Sequence, residues 1–190
     1  DQDGIILATD AILTLNSDIS NAGAISCTAI ADDGFGGVVE DSTSVEIENS
    51  LPEWSEEVSI TAVGSNNFAT TLVQTNAVLT CSATATDLDE GEIIPTYDWS
   101  IGGLTVATGA VFTVDPSITD VGDTLLCTAT ASDAVGELIE SSDSISIANT
   151  APIVTVAITP DPADRGDTLT CSTTIDDPDE QGISYSYVWK

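Results

Sequence analysis

The feature that most constrains this chain is a pair of cysteines, each set in a run that alternates apolar with small polar residues. Cys81 lies in Val78-Leu79-Thr80-Cys81-Ser82-Ala83-Thr84-Ala85-Thr86-Asp87, and Cys127 in Thr124-Leu125-Leu126-Cys127-Thr128-Ala129-Thr130. Successive side chains of a strand point to opposite faces. This alternation therefore predicts strands with one face in a core and one toward solvent. A third run, Tyr97-Asp98-Trp99, places a tryptophan 18 residues after the first cysteine. An Asp-x-Gly pair, Asp120-Val121-Gly122, closely precedes the second cysteine.

The rest of the chain repeats this unit, and repeats set the architecture before any element is assigned. Cys27-Thr28-Ala29-Ile30-Ala31-Asp32-Asp33 matches Cys127-Thr128-Ala129-Thr130-Ala131-Ser132-Asp133, and the match runs without a gap to Asn49 against Asn149. Pro52 then matches Pro152. Asp167-Thr168-Leu169-Thr170-Cys171-Ser172-Thr173-Thr174 matches the Cys81 run instead, and Trp189 again falls 18 residues after its cysteine.

The order Cys81, Trp99, Asp120-Val121-Gly122, Cys127 resembles the immunoglobulin-like sandwich. There a strand B cysteine is bonded to a strand F cysteine, and a strand C tryptophan packs on the bridge. The corner before Cys127 has one extra residue and no tyrosine, so the likeness is to immunoglobulin-like domains at large and not to antibody domains. The runs Thr168-Leu169-Thr170-Cys171-Ser172, Asn149-Thr150-Ala151-Pro152 and Gly122-Asp123-Thr124-Leu125-Leu126-Cys127-Thr128-Ala129-Thr130-Ala131-Ser132-Asp133 look like the tandem immunoglobulin-like and PKD-like modules of large bacterial and archaeal cell-surface proteins. The resemblance covers nearly the whole chain. It implies an all-β fold of tandem immunoglobulin-like β-sandwiches with Greek-key topology, one complete and two partial. Residues 1–49 are expected to form the rear part of one domain, 50–149 a complete domain, and 150–190 the front part of a third (strands A to C). The resemblance also implies an intradomain Cys81–Cys127 disulfide, core roles for Trp99 and Trp189, and a bond between Cys27 and Cys171 of successive copies. In the repeat frame the break falls just after strand C at both ends. The expectation is a front half completed by the rear half of the next copy, or a window on a long tandem array.

Smaller expectations follow along the chain. Ile5–Leu7 and Ala11–Leu15 read as short strands, Ala24–Ala31 and Val38–Glu48 as strands F and G, Leu72–Thr86 as strand B and Ile93–Ile101 as strand C. Asn49 to Pro52 and Asn149 to Pro152 are linkers too short to be flexible tethers, and proline restricts both its own φ and the residue before it. Trp54 is expected to pack at the joint. The stretch from Val63 to Thr71 is longer than its counterpart and reads as an extended hairpin or loop.

Composition excludes several functions. The net charge is −30, from 32 acidic residues against Arg165 and Lys190. A chain this acidic is repelled by nucleic acid and by anionic membranes. It contains no stretch of 18 apolar residues, so no membrane insertion is expected. Four cysteines in strand positions point to disulfides and an oxidising, extracellular or cell-surface location; reduced, buried cysteines are the other reading. There is no histidine, which removes Ser-His and Cys-His catalysis. Its acids fall in turns or on alternating solvent faces, so the chain reads as a non-enzyme.

Two acidic loops remain, Asp87-Leu88-Asp89-Glu90 and Asp177-Pro178-Asp179-Glu180. Alternate carboxylates near a glycine supply the several oxygens a hard cation takes. In the sandwich reading Asp87, Asp89 and Glu90 could meet Asp133 and Asn49 or Glu53. Asp177, Asp179 and Glu180 could meet Asn149 and the Asp32 or Asp33 of another copy. A Ca2+ ion there would stiffen the joint; a solvated acidic turn is the plainer alternative. The functional expectation is a structural extracellular filament or stalk whose partners are identical copies arranged head to tail. The alternatives are an adhesin or carbohydrate-binding module with a surface ligand, or an accessory domain of a secreted enzyme.

Overall fold

A computed structural model describes residues 5–15, 23–64 and 68–190. Among these the fold is all-β, with antiparallel strand pairs in its sheets and no helix, and so no helix long and apolar enough to cross a membrane. The strands are β1 (Gly23–Asp32), β2 (Val38–Ile47), β3 (Glu53–Val63), β4 (Val78–Asp87), β5 (Gly91–Ile93), β6 (Thr96–Ile101), β7 (Leu104–Thr108), β8 (Val111–Thr113), β9 (Thr124–Ser132), β10 (Leu138–Ser146), β11 (Ile153–Thr159) and β12 (Thr170–Asp176). One sheet runs β10-β9-β6-β7. A second runs β3-β4-β5, with β8 also paired to β4. Two further sheets are two-stranded, β1-β2 and β11-β12.

The chain divides into two compact units: Asp1–Val58 with Ala83–Thr96 and Ala129–Ser141, and Ser59–Ser82 with Tyr97–Thr128 and Ser142–Lys190. The divisions fall inside β3, β4, β6, β9 and β10 and not at the proline linkers.

Alternation in sequence becomes alternation in burial where a second sheet is present. β4 alternates strictly between exposed and buried along its length, and β9 does nearly so. In the second unit Leu79, Cys81, Trp99, Phe112, Val114, Leu125 and Cys127 are buried. Trp99 stacks against Phe112 at a tilt, with ring centroids 5.6 Å apart. Its indole N–H, which burial would otherwise leave unpaired, donates to the Gly109 carbonyl at 2.9 Å. In the first unit Ala85, Ile93 and Ala131 form a small core covered by Trp54 and Ile139. Trp54 is therefore packed in its own unit, with its indole nitrogen buried and unbonded.

Several elements differ from the sequence reading. The single strand expected over Ile93–Ile101 is two strands in two sheets: β5 pairs with β4, and β6 pairs with β7 and β9. Pro95 sits in the gap and has no N–H to donate to a ladder. β4 begins at Val78, not Leu72. Before it, Val73 makes an isolated parallel bridge to Ile147, and Ala148 N–H donates to the Val73 carbonyl at 2.7 Å. Ile5–Leu7 and Ala11–Leu15 form no named strand, and Ile5, Ile6 and Ile12 are exposed. The Val63–Thr71 stretch turns back on itself through a Val63–Ala69 bridge and a Thr70 N–H to Ala62 carbonyl bond, with residues 65–67 outside the described set.

Candidate functional site

Two sets of residues can act on something beyond their own strands: the four cysteines and the carboxylates beside the linkers. Cys81 on β4 and Cys127 on β9 are joined by a disulfide that ties one sheet to the other. Cys27 on β1 is free and exposed, and Cys171 on β12 is free and half-buried. The inward-pattern positions of these hairpins lack the cover that β4 and β9 have. On β1 only Ile25 is buried, and on β11 every residue is exposed. A groove of about 420 Å³ runs beside Cys27, lined by Ile6, Leu7, Leu13, Ile25 and Ile30 among others. Trp189, expected in a core, is 55% exposed here, and residues 177–190 form no strand. The physical reason is that no opposing sheet covers the β11-β12 hairpin among the described residues; Tyr187 only reaches Thr173 Oγ1 through its hydroxyl at 3.2 Å.

The carboxylates organise the first linker within the first unit. Asp87, Asp89 and Asp133 are all buried. Asp87 Oδ1 accepts the N–H groups of Asp89 at 2.6 Å and Glu90 at 3.2 Å, which shapes the β4–β5 loop. Asp89 Oδ2 accepts the Ser50 N–H at 2.6 Å. Asp133 Oδ1 accepts the N–H groups of Val135, Gly136 and Glu137, and its Oδ2 accepts the Asn49 side-chain amide at 2.8 Å. Glu90 Oε1 accepts the Ala134 N–H at 2.8 Å. Burial pushes the Asp133 carboxyl up, but the Asn49 amide and the three backbone donors outweigh it and hold it below the ordinary value. Pro52 is buried beside this network and Glu53 is exposed.

The second linker has a related arrangement within the second unit. Asp179 Oδ2 accepts the Thr150 N–H, and Asp179 Oδ1 accepts the Thr75 hydroxyl. Asp177 Oδ1 accepts the Asp179 N–H at 3.0 Å. Burial raises the Asp179 carboxyl, and its hydrogen bonds bring it below the ordinary value on balance. Asn149 is exposed and its carbonyl accepts the Gln74 amide at 2.7 Å; Pro152 and Glu180 are exposed. In the β1–β2 turn Asp33 Oδ1 accepts the Phe35 and Gly37 N–H groups, as Asp133 does in the turn it heads, and Asp32 Oδ1 accepts the Gly34 N–H.

Sequence reasoning placed Asp87, Asp89, Glu90, Asp133 and Asn49 at one linker, and they share one hydrogen-bond network. It missed Ser50, Thr150 and Thr75. The first two act through backbone N–H groups, which every non-proline residue carries and which leave no side-chain signal. As arranged, most of the acidic oxygens face N–H donors, and the buried Asp87 Oδ2 has no hydrogen-bond partner. Among the described residues no group of three or more His, Cys, Asp or Glu side chains is set to hold a metal ion. Comparisons with known protein families, with curated proteins and with solved structures found no match to this chain.

Proposed function

We propose that this chain is a structural, extracellular protein: a head-to-tail array of immunoglobulin-like, Greek-key β-sandwiches serving as a surface filament or stalk. One observation carries the reading. Cys27 and Cys171 are free, and they occupy the repeat positions of Cys127 and Cys81, which are bonded to each other. The β1-β2 hairpin carries the sequence of β9-β10, and β12 carries that of β4. Each hairpin thus has the half of a sandwich that the other lacks, and the apolar groove beside Cys27 fits a segment with the sequence of β12. Covering it removes Ile6, Ile30, Val156 and Ile158, all exposed, from water. The complementary segment comes from a second copy or from a flanking repeat. The bonded cysteines support an oxidising location, and the acidic surface keeps such an array soluble and off nucleic acid.

Purified, oxidised chain run without reductant tests this. The expected result is a ladder at multiples of 19.5 kDa that collapses on reduction and is absent from a Cys27→Ser variant. A single 19.5 kDa species at every concentration, with two titratable thiols, would sink the proposal.

A further inference from the structure

The groove beside Cys27 lies where the central sheet has a strand. In that sheet the order is β10-β9-β6-β7, so β6, which carries Trp99, runs between β9 and β7. The rear repeat holds counterparts of the other three. β2 and β1 carry the sequence of β10 and β9, and Leu7-Ala8-Thr9-Asp10-Ala11-Ile12-Leu13 matches Val106-Ala107-Thr108-Gly109-Ala110-Val111-Phe112, which runs from β7 into β8. No stretch of residues 5–47 carries the sequence of β6. One wall of the 420 Å³ groove is residues 6–10 with Leu13, and the other includes Ile25, Cys27 and Ile30 of β1. Its walls are therefore the counterparts of the two strands that flank β6. The sequence of β6 recurs at the other end of the chain, where Tyr187-Val188-Trp189 matches Tyr97-Asp98-Trp99. There it forms no strand, and all three side chains are exposed.

We propose that residues 186–190 of one copy enter this groove on a second copy as an added strand between β1 and residues 5–9. The inference rests on the head-to-tail reading above, which makes the donor a second copy: its β12 supplies the facing sheet, and the residues that follow supply the inserted strand. Strand addition of this kind joins partners through main-chain ladders and sets register through side-chain seats. The central domain gives both. Trp99 stands opposite Ala107 and Asp98 opposite Thr108, so Trp189 stands opposite Ala8 and Val188 opposite Thr9. Trp99 is fully buried and stacks on Phe112. Leu13, at the position of Phe112, already lines the groove and is the floor on which Trp189 rests. The Thr96 hydroxyl reaches the Thr130 carbonyl, which places Ser186 beside Ile30. Charge favours the same pairing. Residues 186–190 contain no acid and include Lys190, one of two cations in the chain, whereas residues 5–47 contain acids and no cation. Insertion takes the exposed Trp189, Val188, Ile6 and Ile30 out of water together.

The test traps the register between copies. Thr9→Cys and Val188→Cys are made in separate full-length chains of a Cys27→Ser/Cys171→Ser background, mixed and oxidised. Directly opposed residues of an antiparallel pair have Cα atoms about 4.5–5.5 Å apart, within reach of a disulfide. The expected result is a dimer bonded through positions 9 and 188, identified by peptide mapping. Thr14→Cys, at an exposed position outside this strand pair, is expected not to bond to position 188. In the same background without added cysteines, Trp189→Ala is expected to weaken self-association in sedimentation by roughly 30-fold or more, the weight of a buried aromatic anchor. Leu104→Ala, exposed on β7, should leave it unchanged. Thr9, Val188 and Trp189 are all exposed, so no variant removes a core residue. An oxidised parent that forms its ladder through Cys27 and Cys171, while position 188 does not bond to position 9 or Trp189→Ala associates as the parent does, would overturn the inserted strand and leave the array reading standing. A closed monomer from both substitutions in one chain would overturn the second copy as donor. A parent that stays monomeric at every concentration would sink both.

Discussion

Reducing the Cys81–Cys127 bond measures what the disulfide contributes, because little else changes. Both sulfurs lie in a dry core, with Cys81 1% and Cys127 0% exposed, and two thiols pack there as small apolar groups. The bond closes a loop of 46 residues. In the chain-entropy relation a loop of that length removes enough freedom from the unfolded chain to stabilise the fold by about 4 kcal/mol. That magnitude corresponds to a fall in Tm of roughly 15–30 °C for a domain of about 100 residues. The assay is urea unfolding with and without reductant, followed by tryptophan emission in a Trp54→Phe/Trp189→Phe background, so that it reports Trp99, which is buried and stacked on Phe112. A Cys27→Ser/Cys171→Ser background keeps bonds between copies out of the comparison. The reduced protein is expected to unfold at a lower midpoint with a larger m-value, since its unfolded chain is more expanded. A loss below about 1 kcal/mol, with m unchanged, would refute loop closure as the source of the stabilisation.

Leu79 is fully buried and stands opposite Phe112 in the β4–β8 register. Leu79→Ala is expected to cost about 2–5 kcal/mol in urea unfolding, whereas Leu104→Ala at an exposed site of β7 should stay within about 0.5 kcal/mol. Asp133→Ala removes the acceptor for three turn amides and for Asn49, so amide exchange at Val135, Gly136 and Glu137 should accelerate at pH 7. The folded Asp133 carboxyl lies below its ordinary 3.8, so its contribution is full above that value and fades as pH falls through the lower one. The stability gap between this variant and the parent should therefore close in acid, and a gap that widens would contradict the assignment. Calcium is the remaining perturbation. With most of the linker's acidic oxygens facing N–H donors, millimolar CaCl2 or EDTA is expected to move Tm by less than about 1 °C. A rise of several degrees would mean that a cation takes the linker carboxylates, Asp87 Oδ2 among them.

Much of the central fold was legible because period-two alternation reports directly on which side chains face inward. Cys81, Ala83 and Ala85 on β4, and Leu125, Cys127 and Ala129 on β9, read as one face each and are buried as one face each. The break in the strand around Pro95 was legible in principle, since proline cannot donate to a ladder, but alternation continues across it and hid the change of sheet. At the first linker the acidic side chains were visible by residue type. Most of their bonding was not, because apart from the Asn49–Asp133 pair each bond has a backbone N–H as one half.

The sequence by itself determined which residues alternate, that the pattern recurs, and that Cys27 and Cys171 stand at the positions of Cys127 and Cys81. These are local and periodic properties. Only the tertiary structure decided which of the equivalent faces are covered. Ala29 and Ala129 occupy the same place in the repeat, yet Ala129 is buried and Ala29 is exposed. Burial is not a property of a strand. It requires a second sheet at packing distance, and the apolar face that reaches one leaves water while its twin does not.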